Sequence, residues 1–498
     1  MQTSPIVSAV VSDSDKQKIH AISTTSTPSI STTSSDVIPN VYAKMAQVFA
    51  FKTDTNLLAP FLKQGTKQTR GSAFFVKQNG QQSSHMKLIT AAHVVSDVHS
   101  IRLQLPLMGK ETQPNAHVAL FAPKLDLAVL DIDLTTTPLL DKKIAQRNEK
   151  IDTFELGDDK ALQPGETMYA VGFPLGEENL KISRVTFNGL QNGVMQIDGA
   201  INPGNSGGPV VNARGQVVGV VSSGYDPRAA SNVSFAIPIG AFNSIPDALN
   251  DDTPPKQDKT IVVRPPSLGI MFYNSSSVPV ITTSPCDTGV TVQWVSQYSS
   301  LHDHVHPGDR ICTIKYNGET YQIDNYGQVA VKWYQSKIPL EYAVALIPGN
   351  QKIEVTHWNA KENKLVKTLT VLKPCEENGF KGIYPPFEQL VYNLTAGIVV
   401  MPLSFIHMVA FPYLQFKLTP SELELPHLVI SYMEPDSEVA KLNVLSPGDV
   451  VTHVNDISVK TLHEYEDALK RPLQQQPLNE KYLKWTTLDN KSQMIKLI

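Results

Sequence analysis

Three separated stretches of the chain carry the residue types that acyl transfer on a serine requires. Ile201–Val211 reads INPGNSGGPVV, a single serine, Ser206, set among glycines, prolines and asparagines. LITAAHVV places His93 at the end of an apolar run, and KLDLAVLDI places Asp126 at the start of another. A reactive serine needs a neutral imidazole to take its proton, a carboxylate to fix the imidazole tautomer, and N–H donors for the oxyanion. Gly204 and Ser206 can offer backbone N–H groups, because glycine lets the chain approach a ligand with no Cβ in the way. Each fragment alone has a plainer reading. The serine string suits any tight turn, a histidine beside alanines suits a core, and an aspartate before a strand suits a cap. All of them in the order His, Asp, Ser, each at the edge of an apolar run, are much harder to dismiss as turn, core and cap, and point towards nucleophilic catalysis.

The surrounding pattern indicates what must hold them. From Val41 to Asn250 short β-type runs are separated by turn residues: GSAFFV, KLITAAHVV, HVALFA, LAVLDI, TMYAVGFP, QVVGVVSSG and NVSFAIP. Helical periodicity is scarce, so a mainly β barrel or sandwich is expected. Residues 1–40 form a Ser/Thr-rich tail predicted to be disordered. Residues 251–262, with DDTPPKQDKT, read as a linker. Two further segments, 263–374 and 386–498, flank a second linker at 375–385. Each has a Pro-Gly-Asp turn feeding an apolar strand, HPGDRICTIKYNGE and SPGDVVTHVNDISV, and a run built around glycine, SLGIMF and AGIVVMPL. They read as one domain type used twice.

Composition narrows the function classes. The 498 residues are too many for one core, and 41% apolar with 18% charged residues is ordinary for a soluble globular chain. A net charge of −4 gives no reason to expect nucleic acid as a partner. No apolar run approaches the ~20 residues of a membrane span. The N-terminus has no basic residue before Lys16 and only a broken apolar patch. The expectation is therefore no secretory signal, and a cytoplasmic chain or one exported by a non-classical route. Three cysteines, Cys286, Cys312 and Cys375, predict no disulfide framework, in keeping with a reducing compartment. His302, His304 and His306 alternate, but just before a Pro-Gly-Asp turn alternation does not converge on one face, so no metal is expected. No nucleotide motif is present and no cofactor is expected.

The fragments TAAHVV, DLAVLDI, VGFPLG, QIDGAINPGNSGGPVVNARGQVVGV and NVSFAIPI resemble the HtrA/Deg family of trypsin-like serine proteases, densely from Gly71 to Ile239. The resemblance implies a chymotrypsin-like double β-barrel protease domain over 41–250. Two peptide-binding PDZ domains would follow, the second divergent as in the plant Deg branch. It implies a His93–Asp126–Ser206 triad and an oxyanion loop of Gly204, Asn205 and Ser206. Asn205 carries no charge to pair with a freed N-terminus, so activation by trimming is not expected. The resemblance puts the floor of the specificity pocket near Ala200 and its walls at Val220, Val221, Ser222 and Ser234. With no acidic residue there, small or medium aliphatic residues are expected before the cut. Leu268, Gly269 and Ile270 fall at the carboxylate-binding loop of the first PDZ domain. Homo-trimers, or multiples of them, are implied, with Tyr42, Phe49 and Phe51 available for contact. The function that follows is an ATP-independent endopeptidase acting on unfolded or selected polypeptides, regulated by peptide ligands of the PDZ domains. The alternatives are a proteolytically silent PDZ scaffold or chaperone, or a secreted effector protease cutting host proteins.

Overall fold

Short β-branched and aromatic runs close into two barrels. A computed structural model describes residues 39–62, 65–77, 85–108, 113–133, 150–199, 201–224, 233–245, 259–273, 286–374, 382–473 and 481–497. The first barrel comprises β1 (Met45–Thr53), β2 (Thr66–Phe75), β3 (His85–Thr90), β4 (Val98–Gln104), β5 (Asn115–Ala122) and β6 (Leu127–Asp133). These pair in the order β5-β4-β1-β2-β3-β6, and β5 pairs with β6 to close the ring. The second is a closed barrel of β7 (Thr167–Gly172), β8 (Lys181–Gln191), β9 (Val194–Asp198), β10 (Pro209–Val211), β11 (Val217–Gly224) and β12 (Val233–Pro238). Closure pairs the strands with one another around each ring, and alternate residues of each strand fill the interior. A core cluster containing Phe74 and Ile89 of the first barrel and Val171, Val211 and Val220 of the second binds the two together. The catalytic candidates lie on segments that meet along this seam.

The expected linkers do structural work. β13 (Ile261–Val262) adds in parallel to β5, and Thr260 Oγ1 donates to the Val118 carbonyl at 2.7 Å. Residues 382–388 dock on the same barrel. Tyr384 and Phe387 pack their rings against Phe121, and Arg264 pairs with Glu388 at 2.8 Å.

The two later modules repeat one plan. In each, the aspartate of the Pro-Gly-Asp turn caps the turn with its own carboxylate: His306 N donates to Asp309 Oδ2, and Ser446 N to Asp449 Oδ2, both at 2.9 Å. The glycines, Gly308 at φ 94° and Gly448 at φ 92°, occupy the left-handed region, and each N–H donates to the neighbouring strand, at Val292 and Ile430. The modules meet where Glu424 accepts hydrogen bonds from the Ser296 hydroxyl and, at 2.9 Å, from Gln297 N.

One expectation is corrected here. Cys286 and Cys312 form a disulfide with Cα atoms 6.1 Å apart, where none was expected; Cys375 lies outside the described residues. Counting cysteines could not reveal this, since an odd total leaves any one pairing open. His302, His304 and His306 are exposed around the turn, and among the described residues no cluster of three or more His, Cys, Asp or Glu could hold a metal. Among those residues no helix is long and apolar enough to cross a membrane.

Candidate active site

His93 sits in a four-residue helix, α1 (Ala92–Val95), that follows β3. Asp126 stands at φ 51° between the turn Pro123–Leu125 and β6. That left-handed turn, which aspartate tolerates better than most residues, aims its carboxylate back at α1. His93 Nδ1 lies 3.0 Å from both Asp126 oxygens, and the His93 backbone N–H donates to Oδ1 at 2.9 Å. With Nδ1 engaged, Nε2 is the nitrogen left to accept a proton, and the imidazole is 47% exposed, open to a substrate. Burial acts to raise the Asp126 carboxyl, but the His93 imidazole, the Ser222 hydroxyl and the His93 N–H together hold it below its usual range. The other end of the His93 peptide is held as well. Lys52 Nζ, buried on β1, donates to the His93 carbonyl at 2.7 Å and to Ser96 Oγ at 3.3 Å. Burial lowers the Lys52 pKa, with Asp97 opposing the shift.

Ser206 comes from the loop ahead of β10, and glycine shapes that loop. Gly204 has φ 102° and Gly207 φ 84°. A Cβ on Gly207 would lie 2.2 Å from the Ser72 carbonyl oxygen and from Thr90 Oγ1; one on Gly208 would lie 2.0 Å from the Val171 carbonyl oxygen. The loop is stitched to β11 by Gly207 N to Val221 O at 2.7 Å and Val221 N to Gly208 O at 2.8 Å. The N–H groups of Gly204 and Ser206 have no acceptor among the described residues, whereas Asn205 N donates to Asn202 O at 3.1 Å. Of the three expected oxyanion residues, Asn205 therefore has its N–H already committed. Ser206 Oγ donates to the Ser222 carbonyl at 2.9 Å.

The expected pocket residues divide. Ser222 is brought to the centre, its hydroxyl on Asp126 Oδ2 and its carbonyl on Ser206. Ser234 is buried and donates to the Gly199 carbonyl at 3.1 Å. Val220 and Val221 are fully buried in the hydrophobic cores and expose no surface to a substrate. Ala200 lies outside the described residues. Leu268, Gly269 and Ile270 line a groove of about 340 Å³ opposite α2 (Leu340–Ala345). Lys124 and Leu125, the two residues ahead of Asp126, also line it. Tyr42 is exposed, while Phe49 lies beneath the Arg70 guanidinium and Phe51 beneath that of Arg102. Sequence reading missed Lys52, whose only signal is a lysine near the end of the mainly apolar run MAQVFAFKT.

Residues 71–220 match the family model described as the trypsin-like peptidase domain. A probable periplasmic DegP-like serine endoprotease of Bartonella henselae is 23% identical over 418 residues, 80% of this chain and 69% of that protein. The putative serine protease HhoB of Synechocystis is 31% identical over 304 residues, 56% of this chain and 64% of that one. The Do-like serine protease HtrA of Lactobacillus helveticus is 31% identical over 262 residues, 48% of this chain and 57% of its own length. Among solved structures, the HtrA-type protease AlgW bound to a decapeptide superposes with a TM-score of 0.46 at 19% identity, covering 67% of this chain and 95% of that one. The expectation of a cytoplasmic or non-classically exported chain is overturned. Relatives from Bartonella henselae, Pseudomonas putida and Rhizobium meliloti are named periplasmic, which points to an exported protein. The Cys286–Cys312 disulfide accords with an oxidising compartment.

Proposed function

We propose that this chain, a serine protease of the HtrA/Deg type, cuts unfolded or selected polypeptides through His93, Asp126 and Ser206, without ATP. Ser206 Oγ leaves the Ser222 carbonyl by rotating about its Cα–Cβ bond and attacks the peptide carbonyl as His93 Nε2 takes its proton. Asp126 keeps the imidazole in the required tautomer and stabilises the imidazolium. The Gly204 and Ser206 N–H groups receive the oxyanion, and a fixed donor of this kind contributes roughly 3–4 kcal/mol to the transition state. His93 then protonates the leaving amine, and water releases the acyl group by the same steps in reverse.

The observation that carries this reading is the convergence of a doubly held imidazole and a glycine-shaped serine loop, with two unpaired N–H donors, on one seam. Ser222 and Ser234 offer no charge for a basic side chain, which supports aliphatic residues before the cut. The modules at 263–374 and 386–498 serve as PDZ domains, and the groove at Leu268–Ile270 takes a peptide end. Because Lys124 and Leu125 wall that groove, an occupant touches the turn that carries Asp126. Assembly as trimers, or multiples of them, leaves Tyr42 available for contact. The test is digestion of an unfolded model protein with sequencing of the cut sites. Cuts after small or medium aliphatic residues support the reading, and cuts after Lys or Arg refute the pocket assignment.

A further inference from the structure

The nucleophile loop belongs to the second barrel, yet one residue of the first barrel grips it on both sides of Ser206. Ser72, on β2 and fully buried, donates its backbone N–H to the Ser206 carbonyl at 2.8 Å. Its hydroxyl donates to the Gly204 carbonyl at 2.7 Å and accepts from Phe173 N, just past β7, at 3.1 Å. The Ser72 hydroxyl thus both donates and accepts across the seam between the barrels. Its own carbonyl is fixed in turn by Thr90 Oγ1 at 2.8 Å.

What this controls follows from where the Gly204 carbonyl lies. The peptide joining Gly204 to Asn205 sits between the two N–H groups assigned to the oxyanion. Ser72 Oγ holds its carbonyl and Asn202 O holds its N–H, so both polar atoms of that peptide plane are pinned. Gly204 needs the freedom of glycine to reach φ 102°, and the same freedom makes other orientations of this plane accessible. A hydrogen bond on the carbonyl removes that freedom. We propose that Ser72 is a positioning residue for the oxyanion site: its hydroxyl fixes the Gly204–Asn205 peptide so that the N–H groups of Gly204 and Ser206 converge on one point. Ser72 touches no reacting atom and acts through the loop. The inference rests on the assignment of Gly204 and Ser206 as the oxyanion donors.

The experiment uses the full chain with Ser72→Ala. Active sites are counted with a fluorophosphonate, and kcat and KM are measured on a peptide substrate. Affinities are then compared for a peptide aldehyde, which forms a tetrahedral adduct with an oxyanion, and for the matching unreactive peptide. Deleting a donor outright costs ~100- to 1000-fold in kcat, and loosening its orientation should cost ~10- to 100-fold. The prediction is that loss in kcat per titrated site, with a parallel loss of aldehyde affinity and with KM and unreactive-peptide affinity within about twofold. If Ser72→Ala does not fold, Ser72→Cys, with its weaker donor, should show the same split to a smaller degree. An unchanged kcat and aldehyde affinity per site, in whichever variant folds, overturns the proposal. A wild type that neither labels nor cuts refutes the oxyanion assignment instead, and the two failures are thereby distinguished.

Discussion

The two halves of the proposed catalytic seam are held by different physics. On the first barrel, charge fixes His93: the Asp126 carboxylate takes its N–H and its ring, and the Lys52 ammonium takes its carbonyl. On the second, Ser206 is fixed by glycine conformations and neutral hydrogen bonds, from Gly207 N to the Val221 carbonyl, from Val221 N to the Gly208 carbonyl and from Ser72 to the loop. The contrast follows from what each group must do. An imidazole that becomes cationic gains from a buried carboxylate. An oxyanion needs N–H donors left unpaired until the transition state, which only an unusual backbone can present.

Substitutions can test that contrast, beginning with the most damaging. Asp126→Asn keeps the shape and removes the charge, and kcat is expected to fall about 10⁴-fold while folding survives, measured by peptide hydrolysis and circular dichroism. The contrast breaks if the loss is as small as that of a neutral hydrogen bond. Gly207→Ala attacks the other half without changing any charge. Its Cβ would meet backbone and Thr90 at 2.2 Å, so a stability loss of about 3 kcal/mol and a loss of fluorophosphonate labelling are expected, read by thermal melting and intact mass. Lys52→Met removes one charged donor from the His93 carbonyl and leaves Ser96 Oγ, which also donates to it at 3.2 Å. An approximately tenfold fall in kcat is expected, the low end of the 1.5–3 kcal/mol of a hydrogen bond to a charged group, because the Ser96 hydroxyl remains.

The smallest effect concerns pH. The Asp126 carboxyl is held below its usual value in the fold, so its stabilisation is fully present above the unfolded carboxylate pKa and is lost as pH falls through the lowered folded one. Among the described residues, the serine loop is held by no ionisable partner. Amide hydrogen exchange, corrected for intrinsic rates, should therefore show the His93 N–H losing protection in acid before those of Ser72 and Gly207. Simultaneous loss would mean that the two halves are not separately held.

The sequence made the groups proposed to react legible, and less of what holds them. Ser206 was legible because its glycines serve a local backbone need, and His93 and Asp126 because each borders a strand whose alternation is local. Ser72 and Lys52 act on partners 132 and 41 residues away, at distances no local pattern encodes. Val220 and Val221 were expected at the pocket wall, but on β11 consecutive side chains face opposite sides and both sides are core here. The repeated Pro-Gly-Asp turns were readable because glycine at positive φ and a capping aspartate work over four residues. The Cys286–Cys312 bond was not, because pairing depends on how the strands fold back.

The most direct measurement of the central claim is fluorophosphonate labelling of the wild type and of Ser206→Ala, with the modified residue located by mass spectrometry and cleavage of an unfolded protein followed in parallel. The account predicts one label on Ser206 in the wild type, and neither label nor cleavage in the variant. Cleavage that persists in Ser206→Ala, or a wild-type label on another residue, would contradict it.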